Sequence, residues 1–225
     1  MYKAAIFDMD GLLIDSERPI MAAWLETAAR HGIALDQITY LQVVGRSAAD
    51  SRKVLDGLFP AAFPYEVARE QVQRLLDERH AARGYPAKPG ALALLSFLHQ
   101  RGIPCGVASS TRVAEIRRRL ERAGLLGFFR SISGGDEVVR GKPDPALFLL
   151  AGTRIGIDTA QRLVFEDSEF GAAGALAAGM SVVLVPDLKA PSARMQSSCK
   201  AILPSLEAAL PRSEDWFPAP LQAGV

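Results

Sequence analysis

Short apolar runs of strand length, each followed by a segment of helical pattern, constrain this 225-residue chain more than any other feature. The runs are Lys3–Phe7 (KAAIF), Ile103–Ala108 (IPCGVA), Arg130–Ser133 (RSIS), Arg162–Phe165 (RLVF) and Met180–Val185 (MSVVLV). Strands that alternate with helices in this way belong in an α/β fold, a parallel sheet covered on both faces. The helices carry their own punctuation. Ser110 or Thr111 can cap a helix with the apolar face Val113, Ile116, Leu120 and Ala123, closed by Gly124. Asp144-Pro145 starts a helix that runs through Ala146–Ile155. Ser168 can cap Glu169–Ala178, ended by Gly179. The Gly and Ala content of that last helix lets it lie close to the sheet.

The stretch from Asp15 to Pro86 differs. It predicts helices over Arg18–His31, after Ser47 and over Tyr65–Arg83, with no convincing strand. An all-helical segment of that length is too long for a simple crossover and reads as an inserted subdomain. The expected division is a core of residues 1–14 and 87–225 with a helical insert of residues 15–86. The closing SEDWFPAPLQAGV is proline-rich, either frayed or pinned by Trp216 and Phe217.

Composition narrows the function. Hydrophobic residues make up 49% of the chain, enough for a sizeable core. The net charge is +1, which gives no reason to expect nucleic acid or an anionic membrane as partner. Any anion site must be local. Cys105 and Cys199 are the two cysteines, and Cys105 reads as a small buried hydrophobe rather than half of a disulfide. No run has the length of a membrane span, and the start lacks the apolar core of a leader peptide. The expected location is the cytoplasm.

Ligands of parallel α/β sheets bind beyond the carboxyl ends of the strands. The first run ends in Asp8-Met9-Asp10-Gly11, the second in Ser109-Ser110-Thr111 and the fourth in Glu166-Asp167-Ser168, while Gly141-Lys142-Pro143 follows the third. Those side chains suit phosphoryl transfer. A carboxylate can act as nucleophile. Its attack on an anionic phosphate needs charge neutralisation, which Mg²⁺ held by hard oxygens supplies; Glu166 and Asp167, with Asp8, could hold it. Lys142 offers a point charge, and Ser109 with the next helix's amides can hold phosphate. Asp10 stands at the right reach to protonate a leaving alcohol and then activate water. Each residue alone has a plainer reading as a helix cap, a turn or a solvated lysine. Their succession at strand ends is what points to one site.

FDMDGLLIDSE, ASS, GKPDP and FEDS, in this order from Lys3 to about Val185, resemble the four motifs of the haloacid dehalogenase superfamily. The resemblance implies a Rossmann-like α/β/α core with a helical cap inserted after the first strand. It implies Asp8 as nucleophile and Asp10 as acid/base. Mg²⁺ would be held by Asp8, Glu166, Asp167 and the Asp10 main-chain carbonyl. Phosphate would be held by Ser109, Ser110 and Lys142. Dehalogenases of the superfamily lack the second aspartate, so Asp10 favours phosphate esters. Phosphonate-cleaving relatives use a cap lysine, and Lys53 is not convincingly placed for that. The cap is similar to that of β-phosphoglucomutase and related sugar-phosphate phosphatases. The mutase has a histidine where Ile20 stands and an arginine near Ala48. Here Gly45-Arg46-Ser47 resembles the loop of phosphatase members, with Arg46 a candidate substrate contact. The expected activity is hydrolysis of a small phosphorylated metabolite, best a sugar phosphate, with mutase chemistry as the alternative and a monomer favoured. A binding module on a dead phosphatase fold is disfavoured, because no motif position is lost. His31, His80 and His99 read as surface or core histidines, and Trp24 as core rather than a sugar platform.

Overall fold

The structure is a computed structural model that describes residues 1–44, 48–57, 59 and 65–218. Strand β1 (Ala4–Phe7) is followed by four helices, α1 (Glu17–Arg30), α2 (Gln37–Tyr40), α3 (Ala48–Asp56) and α4 (Tyr65–His80). The chain continues through α5 (Ala91–Gln100), β2 (Cys105–Ser109), α6 (Val113–Arg122) and β3 (Phe129–Gly134). Then come α7 (Ala146–Ile155), β4 (Arg162–Glu166), α8 (Glu169–Ala177) and β5 (Ser181–Leu184). Last are α9 (Ala193–Ser198), β6 (Ala201–Ile202) and α10 (Leu210–Trp216). The strands form one sheet in the order β3-β2-β1-β4-β5-β6, parallel throughout. The Rossmann-like α/β core expected from the sequence is therefore present. β6 has no counterpart among the apolar runs, because it is a two-residue edge strand that is only partly buried.

Period-two alternation sends Ala5 and Phe7 of β1 to one face of the sheet and Ala4 and Ile6 to the other. The first face packs on Leu94 and Leu98 of α5 and on Ile116 and Leu120 of α6. The second packs on Leu147, Phe148 and Ala151 of α7 and on Ala172 and Ala175 of α8. Burial on both faces is why β1, β2 and β4 read as continuous apolar runs. Phe7 stacks on Phe165 at 4.9 Å, and each such ring contributes roughly 2–3 kcal/mol by leaving water. Trp216 and Phe217 are buried in the same layer, and the Tyr2 amide donates to the Trp216 carbonyl at 2.8 Å. The tail is thus pinned as far as Phe217.

The helices of residues 17–80 bury an apolar cluster of their own, built on Ala23, Trp24, Tyr40, Leu55, Tyr65 and Val72. The chain leaves and re-enters the sheet side by side. The Asp15 amide donates to the Pro86 carbonyl at 2.9 Å, and the Lys88 amide to the Leu13 carbonyl at 2.9 Å. Beyond β5, Asp187 fastens both crossings. Its Oδ1 accepts from Arg18 of α1 and from Lys88 of the return segment, each at 2.6 Å.

Two details correct the sequence reading. The α6 helix is not capped by Ser110 or Thr111; its first amide, Val113, donates to Asp136 Oδ1 at 3.0 Å, because the Thr111 hydroxyl is engaged elsewhere. And α4 ends at His80, short of Arg83, in a turn through Gly84 (φ 65°). The cap at Ser168 is as expected, its Oγ accepting from the Gly171 amide at 3.1 Å, and Asp144 Oδ1 accepts from the Ala146 amide at 3.0 Å. Both cysteines are free thiols, and burial pushes that of Cys105 up to about 12. Among the described residues no helix is long and apolar enough to cross a membrane.

Candidate active site

The strand order reverses at β1: β2 and β3 add on one side, β4 to β6 on the other. That switch point opens a crevice at the carboxyl ends of the central strands. Asp8 and Asp10 follow β1, Ser109 ends β2, and Glu166 ends β4 with Asp167 next. Lys142 enters from the segment between β3 and α7. All of them line one cavity of about 260 Å³. Its opposite wall is helical, with Ile20 and Trp24 of α1, Tyr40 of α2, Ser51 and Leu55 of α3, and Tyr65 of α4.

The floor of the cavity is a buried ionic cluster. Carboxylate oxygens of Asp8, Glu166 and Asp167 lie within 4.8 Å of one another. The Lys142 ammonium, 3% exposed, donates to Asp8 Oδ1 at 2.5 Å and to Glu166 Oε1. Glu166 Oε2 accepts from the Ser168 amide at 2.8 Å and from Ser168 Oγ at 3.0 Å, so this carboxylate is fixed at both oxygens. Burial raises the pKa of Asp8 well above the usual range; Lys142 opposes the rise, while Glu166 and Asp10 add to it. Asp167 is raised in the same way, by burial first and then by Glu166 and Asp8. Burial works against the Lys142 ammonium, yet Asp8 and Glu166 raise its pKa on balance. Three clustered carboxylates against one ammonium leave negative charge to neutralise, and an all-oxygen donor set of this kind fits a hard divalent cation. Two glycines let the cluster close. A Cβ on Gly11 (φ 83°) would lie 2.4 Å from Asp167 Oδ2, and one on Gly171 would lie 1.6 Å from Glu166 Oε1.

Asp10 is turned into a second network. Its Oδ1 accepts from Ser16 Oγ at 2.7 Å and from Arg119 Nη1 at 2.6 Å, and its Oδ2 from Thr111 Oγ1 at 2.8 Å. Ser109 Oγ lies 3.5 Å from the same Oδ2 and accepts from the Thr111 amide at 3.2 Å. The hydroxyls of Ser16 and Thr111, both beside helix starts, thus serve a carboxylate instead of a helix end.

The structure therefore brings Asp8, Asp10, Ser109, Ser110, Lys142, Glu166 and Asp167 to one cavity. Asp10 contributes no side-chain oxygen to the three-carboxylate cluster. Arg46 lies outside the described residues. Sequence reasoning missed Arg119 and Glu17. Arg119 hides in an Arg-rich helix, although it stands three residues after the inward-facing Ile116. Glu17 opens α1 and lines the cavity, and burial, reinforced by Asp10 and Asp187, pushes its carboxyl up to about 7. Trp24 is core and wall at once, 6% exposed and stacked on Tyr65 at 5.4 Å. The histidines stay clear of the cavity: His31 pairs with Gln71 at 3.0 Å, His80 lies against Tyr85 and His99 against Phe128.

A family model described as haloacid dehalogenase-like hydrolase matches residues 2–179. The chain belongs to that family. Hexitol phosphatase A of Escherichia coli (strain K12) is 34% identical over 184 residues, covering 81% of this chain and 82% of the relative. Fructose-1-phosphate phosphatase YqaB of the same organism is 31% identical over 187 residues, covering 81% and 95%. The crystal structure of β-phosphoglucomutase from Clostridium difficile superposes with a TM-score of 0.76 at 21% identity, covering 96% of this chain and 99% of that one, and shows the shared fold. The superfamily resemblance of the four motifs thus holds, and this haloacid dehalogenase-like chain is a phosphoric monoester hydrolase.

Proposed function

We propose that the chain is a Mg²⁺-dependent phosphatase that hydrolyses a small sugar phosphate through a phosphoaspartyl intermediate on Asp8. The observation that carries this reading is the convergence of Asp8, Asp10, Lys142, Glu166 and Asp167 on one cavity roofed by helices. Two relatives named for hexitol and fructose 1-phosphate support a polyhydroxylated leaving group. In this reading residues 15–86 act as a cap over a core of residues 1–14 and 87–225.

Asp8 attacks phosphorus through a carboxylate oxygen, and the bond from phosphorus to the ester oxygen breaks. Asp10 gives a proton to the departing oxygen, which leaves as an alcohol. Water then attacks the phosphoaspartate and surrenders a proton to Asp10. The bond between Asp8 and phosphorus breaks, and phosphate and the free carboxylate remain. Lys142 holds Asp8 in place and presents its charge to the phosphoryl oxygens together with Ser109 and Ser110. Asp8, Glu166, Asp167 and the Asp10 main-chain carbonyl would hold Mg²⁺, which supplies charge neutralisation at the phosphate when bound. The helical wall excludes bulk water from the phosphoenzyme and selects the leaving group by shape. Ile20, an apolar wall residue at the mutase's histidine position, offers a sugar no proton relay and favours release to water.

Asp8→Asn is expected to abolish release of p-nitrophenol from p-nitrophenyl phosphate and to form no acid-stable phosphoprotein; retained turnover would end this mechanism. Chelation of divalent metal should silence the wild type, and added Mg²⁺ should restore it. A panel of phosphorylated metabolites, with β-glucose 1-phosphate isomerisation run alongside, separates phosphatase from mutase. Isomerisation faster than phosphate release would reverse the assignment.

A further inference from the structure

The guanidinium of Arg119 makes a charge-assisted contact of 2.6 Å with Asp10 Oδ1 from an 11% exposed position. It is itself fixed. Arg119 Nε donates to Glu115 Oε1 at 2.6 Å, and its guanidinium carbon lies 5.1 Å from the centre of the buried Tyr85 ring. The other donors to Asp10 are Ser16, Thr111 and, at 3.5 Å, Ser109, hydroxyls that turn freely about one bond, whereas the guanidinium is a planar fork held at both its Nε and its face. Its two engaged nitrogens, Nε and Nη1, already serve carboxylates of the protein, which argues against substrate as its first partner. Arg119 comes from α6, Ser16 immediately precedes α1 and Thr111 follows β2, so three separate parts of the chain meet on one side chain.

We propose that Arg119 is a positioning residue for the reaction: it holds the Asp10 carboxylate at the angle from which proton transfer to the leaving oxygen and from water is made. This rests on the acid/base role of Asp10 given above. Asp10 is joined to the backbone by two single bonds, and a displacement of about 1 Å in such a group costs on the order of a hundredfold in rate. The loss belongs in kcat, since Arg119 works through Asp10 rather than on bound substrate.

The test is a double-mutant cycle on the Mg²⁺-loaded full chain, with an alkyl phosphate as substrate. Arg119→Met should lower kcat by about a hundredfold with KM within about twofold. Arg119→Lys should recover part of the loss, and so should guanidinium ion added to Arg119→Ala. In an Asp10→Asn background, Arg119→Met should cost nothing more. A raised KM at unchanged kcat, or a full additional loss on top of Asp10→Asn, overturns the proposal and leaves the acid/base reading intact. If Asp10→Asn itself keeps the wild-type kcat, the acid/base reading falls first. Should Arg119→Met fail to fold, Arg119→Lys, alone and in the Asp10→Asn background, carries the same comparison.

Discussion

A methyl group on residue 171 would sit 1.6 Å from Glu166 Oε1. Inside a helix, Gly→Ala ordinarily stabilises by about 1 kcal/mol. Here the sign reverses, because the neighbour that must move is the carboxylate that Ser168 and Lys142 hold. Gly171→Ala is expected to weaken Mg²⁺ activation by roughly 10- to 100-fold, the usual cost of disturbing groups that orient a metal ligand. A Mg²⁺ titration of phosphatase activity reads this directly, and an unchanged activation constant would exclude Glu166 from the metal site. At this scale the sequence is legible where a side chain's position follows from a strand end, as for Asp8 and Asp167. It is illegible where the role depends on which way a long side chain turns. Arg118 and Arg119 are neighbours, both bonded to Glu115, yet Arg119 alone of the two reaches Asp10.

Among the elements, the link between β3 and α7 decides where Lys142 stands. Arg154 of α7 grips Glu137 with two parallel contacts of 2.7 Å, and Glu137 Oε2 also accepts from the Gly134 amide at 3.0 Å. The Arg154 hydrogen bonds, with that of Gly134, push the Glu137 carboxyl down to about 2. A carboxyl whose pKa is lower in the folded chain stabilises above its unfolded value near 4.5 and stops doing so as pH falls towards 2. The pair is partly exposed, so a contribution of about 1 kcal/mol is the expected scale. Glu137→Gln should therefore lower stability at pH 7, and the difference from wild type should close between pH 4.5 and 2 in urea unfolding. A gap independent of pH would assign the loss to packing. The same region shows why the sequence reading of α6 went astray. Its cap is Asp136, which lies 23 positions beyond Val113, and no local pattern announces a partner that distant. The two-residue β6 escaped for a related reason: an edge strand needs no apolar run when it is barely covered.

Across the whole molecule, the helical segment and the sheet have separate apolar interiors and meet over the cavity. The length of the strand-free stretch is what leads the sequence reading to expect an insert there. The contact that ties the parts has no such signal. Asp187 is 2% exposed, and its partners Arg18 and Lys88 come from opposite ends of that stretch. Removing the buried carboxylate takes that partner from Lys88, while the half-exposed Arg18 keeps its contact with Asp15 at 3.1 Å, which softens the penalty to about 2 kcal/mol. For a chain of this size that corresponds to a fall of roughly 4–8 °C in Tm. Asp187→Ala should show it in calorimetry, with faster amide exchange at Asp15 and Lys88, whose backbone bonds join the crossings. Exchange spread evenly over the sheet would mean that Asp187 serves the core and not the junction.

Two ropes moored to a single bollard let a boat swing but not drift. With both crossings made fast to one carboxylate, any movement of the helices that keeps both contacts must turn about that point. Lifting them clear would require two ionic contacts to fail together.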